Sequence, residues 1–425
     1  MRDYVLFTAL LAALLLPQAA IGGIWNLNAG LATERQTDRD SEEIWDSINL
    51  LAAATYTSPD WKFALDLQLK WETQEREFDS DIWSRKGDFL RPVKALLYSP
   101  MDGSFSAGLE VLESWTPGAG YLVRELSGSA EVDYVLPGIL VKLESGSLKL
   151  ELGADRPVDP TVQAAALMWE PWRKAELVIE SVVDPEAPEV FTGNFDGGRP
   201  KADVTSRLTG TAVSFALPIH DGRVLDIKAG GHAAMLGDDA SGLGWEVKVT
   251  LDMSSYYLNR LSLNVGSVDC RNGYVPSWFD AVYPVQRWGL SGEPPLAANP
   301  LDGTGEDRRM EMYDVIYELG SAFRASAGFD RFTDDSLRRA RFLLNLKESG
   351  GRGLQTEIWS RAEGPDEELF RKDQNFFARV SALYAFMPHM MLKLSYDRSW
   401  AFQEEKGGLV PLSSILLGVM YNISL

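Results

Sequence analysis

Residues 61–71 read Trp61-Lys-Phe-Ala-Leu-Asp-Leu-Gln-Leu-Lys-Trp71. Trp61, Phe63, Leu65, Leu67, Leu69 and Trp71 fall on one face of an extended chain. Ala64, Asp66, Gln68 and Lys70 fall on the other. This period of two specifies a strand with one apolar and one wet face. The two tryptophans bound the apolar face. At about 3.3 Å per residue and a tilt near 45°, they stand roughly 23 Å apart along the axis of a tilted sheet. That matches the height of a lipid-facing band edged by aromatic girdles. A soluble sandwich also alternates, and there the same aromatics would be core.

The pattern recurs along the chain. Residues 245–252 alternate, as do Ala340, Phe342, Leu344 and Leu346 with Arg339, Arg341, Asn345 and Lys347. Leu392, Leu394 and Tyr396 interleave with Lys393, Ser395 and Asp397, and the series ends on Ile415, Leu417, Val419, Tyr421, Ile423 and Leu425. Counting such segments predicts roughly 22 strands, among them segments beginning near residues 119 and 130. The connections between them sort into two sets. Those from even to odd strands are short, as at Ser58-Pro-Asp60, Ser145-Gly146 and Pro388. Those from odd to even strands include every long one: 32–45, 72–88, 184–202, 267–310, 362–375 and 400–411. The expected architecture is all-β: a closed antiparallel transmembrane barrel of about 16–22 strands, best count 22. It has short periplasmic turns and longer outer loops.

Composition narrows the function. The chain has 425 residues and a net charge of -20, with 61 acidic side chains that would repel a phosphate backbone, so no nucleic-acid partner is expected. One cysteine excludes an internal disulfide framework and a cysteine-based zinc cluster. Residues 1–23 combine Arg2, an apolar run from Val5 to Leu16, Pro17 and the small residues Ala19, Ala20, Gly22 and Gly23. They read as a cleaved secretory signal, leaving 24–425 as a single domain. His220, His232 and His389 are far apart and lack metal-ligand spacing. No catalytic motif is present, and no enzyme activity, metal or cofactor is expected.

On the export signal, the strand and turn rhythm and the amphipathic last strand, the sequence resembles bacterial outer-membrane β-barrel proteins. That family usually ends in Phe or Trp, whereas this chain has Leu425 last and its aromatic at Tyr421. The resemblance implies an outer-membrane location in a didermic bacterium, contact with lipid, and handling by the barrel-assembly machinery. It also implies a porin-like channel for passive diffusion of small polar solutes. Trp61, Trp71, Tyr396, Trp400 and Tyr421 are the candidate membrane-interface aromatics.

The wet faces would line the lumen. The candidate pore-lining or constriction residues are Arg260, Asp314, Glu318, Arg339, Arg341, Lys393 and Asp397, with Asp280, Arg287, Arg308 and Arg309 from the longest connection, 267–310. Folded into the lumen, that connection would set charges across the pore. As a surface loop it would pack on its own aromatics. The net charge suggests a weak cation preference. Two other readings fit the same residues: a secreted soluble β protein that binds or cleaves carbohydrate, and a barrel that binds surface ligands without an open pore.

Overall fold

The computed structural model describes residues 23–38, 43–74, 77–78, 87–112, 115–127, 135–172, 174–191, 195–196, 199–253, 259–280, 283, 287–288, 307–320, 322–334, 338–346, 354–364, 376–403 and 408–424. The expected signal segment, residues 1–22 of it, lies outside them. Twenty long strands follow in order: β1 (Ile24–Asp38), β2 (Ile44–Thr57), β3 (Trp61–Glu72), β4 (Val93–Tyr98), β5 (Phe105–Val111), β6 (Pro137–Ser145), β7 (Leu148–Ala154), β8 (Gln163–Trp169), β9 (Glu176–Val190) and β10 (Val204–Asp221). The second half comprises β11 (Leu225–Leu236), β12 (Ala240–Asp252), β13 (Asn259–Arg271), β14 (Arg308–Leu319), β15 (Phe323–Phe332), β16 (Arg338–Leu346), β17 (Leu354–Gly364), β18 (Phe376–Met387), β19 (Met390–Gln403) and β20 (Gly408–Ser424).

Each strand pairs antiparallel with the next in sequence. The ladder then returns to its start, because β20 pairs with β1 from Asn26–Ser424 to Asp38–Leu412. Among the described residues every strand therefore has a hydrogen-bonded neighbour on each side over at least part of its length, so the sheet has no free edge strand.

Among the described residues the wall has twenty strands, not 22. The two surplus strands were those read at 119–126 and from 130. Both lie in the single connection 112–136 between β5 and β6. The first carries Tyr121, Leu122 and Val123 in a row, an apolar run without alternation. Its Val123 and Arg124 pair in parallel with Phe279 and Asp280 instead of joining the wall. Most of the second lies outside the described residues. Because both fall within one connection, the sorting of turns and loops survives. The even-to-odd links are short, for example 58–60, 146–147 and 388–389. The odd-to-even links include 73–92, 112–136 and 272–307.

The strand faces separate by chemistry. In β20, Ile415, Leu417, Val419 and Tyr421 point outward at 43–51% exposure, while Ser414, Leu416 and Met420 between them are buried. In β10, Val213, Phe215, Leu217 and Ile219 are outward and exposed, whereas Ala212 and Ser214 are buried. Apolar side chains this numerous and this contiguous would drive aggregation in water. On a sheet without free edges they form a surface suited to lipid. Aromatic rings crowd the short-turn end of this band. Trp25 stacks with Tyr56 at 4.9 Å, Trp61 with Tyr98 at 4.8 Å, and Tyr317 lies 6.0 Å from Phe323. Trp169 and Trp172 are exposed at the same end. Indole and phenol rings suit such a boundary, being apolar with one polar atom. Towards the long-loop rim the outer face turns polar, with ion pairs Arg35–Asp46 at 2.8 Å and Arg331–Glu311 at 2.9 Å. The wall thus continues past its apolar band on the long-loop side.

Candidate functional site: the lumen and its two inward loops

Between β8 and β12 the lumenal face near the long-loop rim is built of small residues. Ala164, Ala166, Ala212, Ala234 and Ala240 are buried there. They leave room inside the wall, and two connections fill it. From 112–136 come Tyr121, Leu122, Val123 and Leu126; from 272–307 come Tyr274, Trp278, Phe279 and Tyr283. None of these eight is more than 6% exposed. They form one apolar cluster with Leu208, Leu236, Val268 and Met310 of the wall. The fit is close enough to need glycine. A Cβ at Gly242 would lie 2.3 Å from the Tyr274 ring, well inside van der Waals contact.

Backbone bonds join the two loops. Besides the 123–124/279–280 pairing, the Ser277 N–H donates to Tyr121 O at 2.8 Å and the Phe279 N–H to Leu122 O at 3.0 Å. The Tyr274 hydroxyl donates to Tyr121 O at 3.1 Å and the Ser277 hydroxyl to Gly120 O at 2.9 Å.

Two buried carboxylates fix this unit to β9. Gly118 (φ 64°) and Gly120 (φ 82°) adopt left-handed backbone, which glycine takes without a Cβ penalty. The turn they make aims the N–H groups of Ala119, Gly120 and Leu122 at Glu180, at 2.6, 2.9 and 3.2 Å. Successive N–H groups converging on one carboxylate make an anion nest. Four residues further along β9, Asp184 accepts from the Tyr283 hydroxyl at 2.8 Å and from Arg287 Nη1 at 2.5 Å. Burial, then the Asp184 carboxylate, pushes the Tyr283 hydroxyl well above its ordinary range, so it remains a donor. Tyr121 is raised too, by burial and then by Glu246, and its ring stacks on His232 at 3.7 Å.

On the opposite side the loops meet charges of the wall. Arg124 bridges to Asp314 at 2.7 Å. Arg341 contacts Asp314 at 3.1 Å, pairs with Asp330, and lies 3.9 Å from Glu125. Arg339 donates to Pro276 O at 3.0 Å.

The plug leaves two polar chambers in the lumen. One, of about 870 Å³, has Lys142, Glu151, Glu176, Lys228, Glu246, Lys248, Glu318 and Arg324 on its walls, and Arg124, Glu125, Asp314 and Arg341 beside the loops. Among the described residues it carries six acids and six bases. Several are paired across strands, as Lys142–Glu151 at 3.1 Å and Lys228 with Glu176. The other, of about 810 Å³, lies along β1, β3–β5 and β18–β20. Its described lining holds four acids (Glu34, Asp66, Glu110, Asp397) and six bases (Lys62, Lys70, Arg91, Lys94, Arg379, Lys393). Lys62 pairs with Glu110 at 2.6 Å and Arg379 with Asp397 at 2.5 Å. Lys94 shares its surroundings with Lys393, Arg379 and Arg91 as well as Asp66.

No family model and no curated protein matches the chain. Among solved structures, OpdL of Pseudomonas aeruginosa matches at 10% identity and a TM-score of 0.36, covering 95% of this chain and 99% of that one. OccK10 (OpdN) of the same organism matches at 13% identity and a TM-score of 0.35 over 95% and 99%. The outer membrane protein OpdK matches at 12% and 0.36 over the same shares. The architecture itself, a sheet paired back to its first strand with an apolar outside and a charged inside, is that of an outer-membrane β-barrel.

The residues expected to line the pore are distributed as follows. Asp314 and Arg341 sit at the loop contact, with Arg339 beside them under Pro276. Glu318 lines the larger chamber, and Arg260 reaches it at 4.0 Å. Lys393 and Asp397 line the smaller one. Arg287 is buried against Asp184 and faces no chamber. Arg308 pairs with Asp334 at 3.4 Å, and Arg309 lies on the outer face, 3.9 Å from Asp269. Asp280 has its backbone in the loop pairing; its side chain lies outside the described residues. Trp61 and Tyr421 are exposed at the short-turn rim, and Trp71 is half-buried at the far end of β3. Tyr396 is on the outward face in mid-strand, paired with Ile415, and Trp400 pairs with Pro411, its side chain outside the described residues. The described part of the connection 272–307, residues 272–280, 283 and 287–288, packs inside the wall. The sequence reading missed its partner, residues 112–127, and both anchors, Glu180 and Asp184. The available signal was the run of glycine and alanine at lumenal positions of β10–β12, which marks space reserved for something to fill it.

Proposed function

We propose that the protein is an outer-membrane, porin-like channel for passive diffusion of small polar solutes, with residues 1–23 as its export signal and 24–425 as one barrel domain. The observation that carries this reading is the lumen. Two charged chambers remain beside the plug, inside a wall whose outer face is apolar. A water-accessible, mixed-charge lining suits polar solutes, which exchange hydration for side-chain contacts as they pass. A barrel serving only as an anchor would have no need of such a lining.

The local charges support a preference for anions, against the cation preference suggested by the net charge of -20. Acids on loops and the outer rim act through salt water and are screened beyond about 8–10 Å. Among its described lining residues the smaller chamber carries two more bases than acids at close range, and Lys94 and Lys393 add charge beyond the paired Lys62 and Arg379. Liposome swelling tests the reading. Vesicles holding the purified protein are expected to swell faster in a small carboxylate than in a cationic amine of equal size. The double variant Lys94→Glu/Lys393→Glu is expected to invert that order. Equal rates for all solutes in both proteins would leave a pore without the selectivity; absence of swelling would favour the pore-free, ligand-binding barrel.

A further inference from the structure

The two chambers differ in what closes them. The larger is roofed towards the long-loop rim by the joined loops. Tyr121 and Ser277 line it, at 5% and 6% exposure. Behind them Leu122 and Phe279 are fully buried. In the other direction the chamber reaches Gly320 and Phe323 at the short-turn rim. The smaller chamber runs from Lys62, next to the short turn 58–60, to Lys70 and Glu34 towards the long-loop ends of β3 and β1. It meets the apolar cluster along its margin, at Leu112, Trp115 and Leu140, and among the described residues Trp115 alone lines both chambers.

We propose that the larger chamber is a blind vestibule open only at the short-turn rim, and that solute passes the plug solely through the smaller, basic chamber. The proposal rests on the channel reading and specifies which part of the lumen conducts. An ion in the vestibule meets a roof of packed aromatic and aliphatic side chains. Crossing it would mean shedding hydration without replacement partners. The roof is also held on both flanks, by Glu180 and by the Arg124–Asp314–Arg341 cluster. In the smaller chamber charged groups continue from one rim towards the other, so a hydrated solute keeps polar contacts throughout. The vestibule's balanced, cross-paired charges then have little influence on selectivity.

Single cysteines separate the two chambers. Ser326 lines the vestibule and Ser395 the smaller chamber; the native Cys270 is buried. The purified Ser326→Cys and Ser395→Cys proteins are placed in planar bilayers, and a membrane-impermeant trimethylammonium methanethiosulfonate is added to one side, then the other. Ser395→Cys is expected to react from both sides and to lose at least about half its conductance. Ser326→Cys is expected to react from the short-turn side only and to keep its conductance within about a tenth. Reaction of Ser326→Cys from the long-loop side, or a conductance loss matching that of Ser395→Cys, would overturn the proposal. If neither variant nor the parent conducts, the channel reading fails. The sidedness of labelling, read by mass, then still decides whether the vestibule is blind.

Discussion

Replacing Glu180 by alanine is expected to turn a quiet channel into one that fluctuates between conductance levels, with a higher mean. The carboxylate is 3% exposed and accepts three backbone N–H groups from the 118–122 turn. Hydrogen bonds to a charged group contribute about 1.5–3 kcal/mol each. Not all of this is lost, since water can enter the space left by the side chain. A local loss of the order of 4 kcal/mol remains, enough to make detachment of the turn a frequent event. The barrel wall is expected to stay folded, because its ladder does not depend on the nest. Hydrogen exchange at Ala119, Gly120 and Leu122 should accelerate by about a hundredfold or more. The conservative Glu180→Gln keeps one acceptor oxygen without charge, and it should lie between the two. Unchanged exchange and unchanged noise in Glu180→Ala would show that packing alone holds the loop.

Asp184→Ala is expected to be the more damaging to the second loop. The side chain of Arg287 is 9% exposed and that of Asp184 fully buried. Removing one partner of a buried pair costs about 3–5 kcal/mol, because the other charge stays behind without compensation. The Tyr283 hydroxyl loses its acceptor as well, adding about 1–3 kcal/mol. Exchange at Phe279 and Tyr283 and the melting of the purified protein report the loss. The variant Asp184→Ala/Arg287→Leu distinguishes the cause. Replacing both charges by apolar groups is expected to recover much of the stability, since buried pairs gain little over well-packed hydrophobics. If the double variant is as unstable as the single one, the pair contributes shape more than charge.

Much of the wall was legible in the sequence because alternation is a local signal. In β3, Trp61 and Asp66 sit on opposite faces as their parity requires, and the same holds for Ile415 and Ser414 in β20. The even-to-odd turns were equally legible, because a hairpin needs only a few turn residues. The surplus strand at 119–126 shows where local reading stops. Leu122 and Val123 are as apolar as any strand, yet the partner of Val123 lies over 150 residues away, at Phe279, whose N–H also donates to Leu122 O. A parallel two-residue pairing inside a lumen leaves no periodic trace. The charge cluster beside the loops was half legible: Arg341 and Asp314 were on the expected face, whereas Arg124 and Glu125 came from the misread segment. Arg287 was expected among the pore charges because it lies in the longest connection, 267–310. Its burial follows from Asp184, a residue that parity places in the lumen but cannot pair. The net charge of -20 is a sum over the whole chain, whereas the proposed anion preference rests on the few charges that line the smaller chamber.

An open, positively biased path beside the plug should show itself in single-channel recording in planar bilayers under a tenfold KCl gradient. The expected result is stable conductance steps with a reversal potential on the chloride side of zero. A folded, inserted protein that gives no steps, or steps reversing on the potassium side, would contradict it.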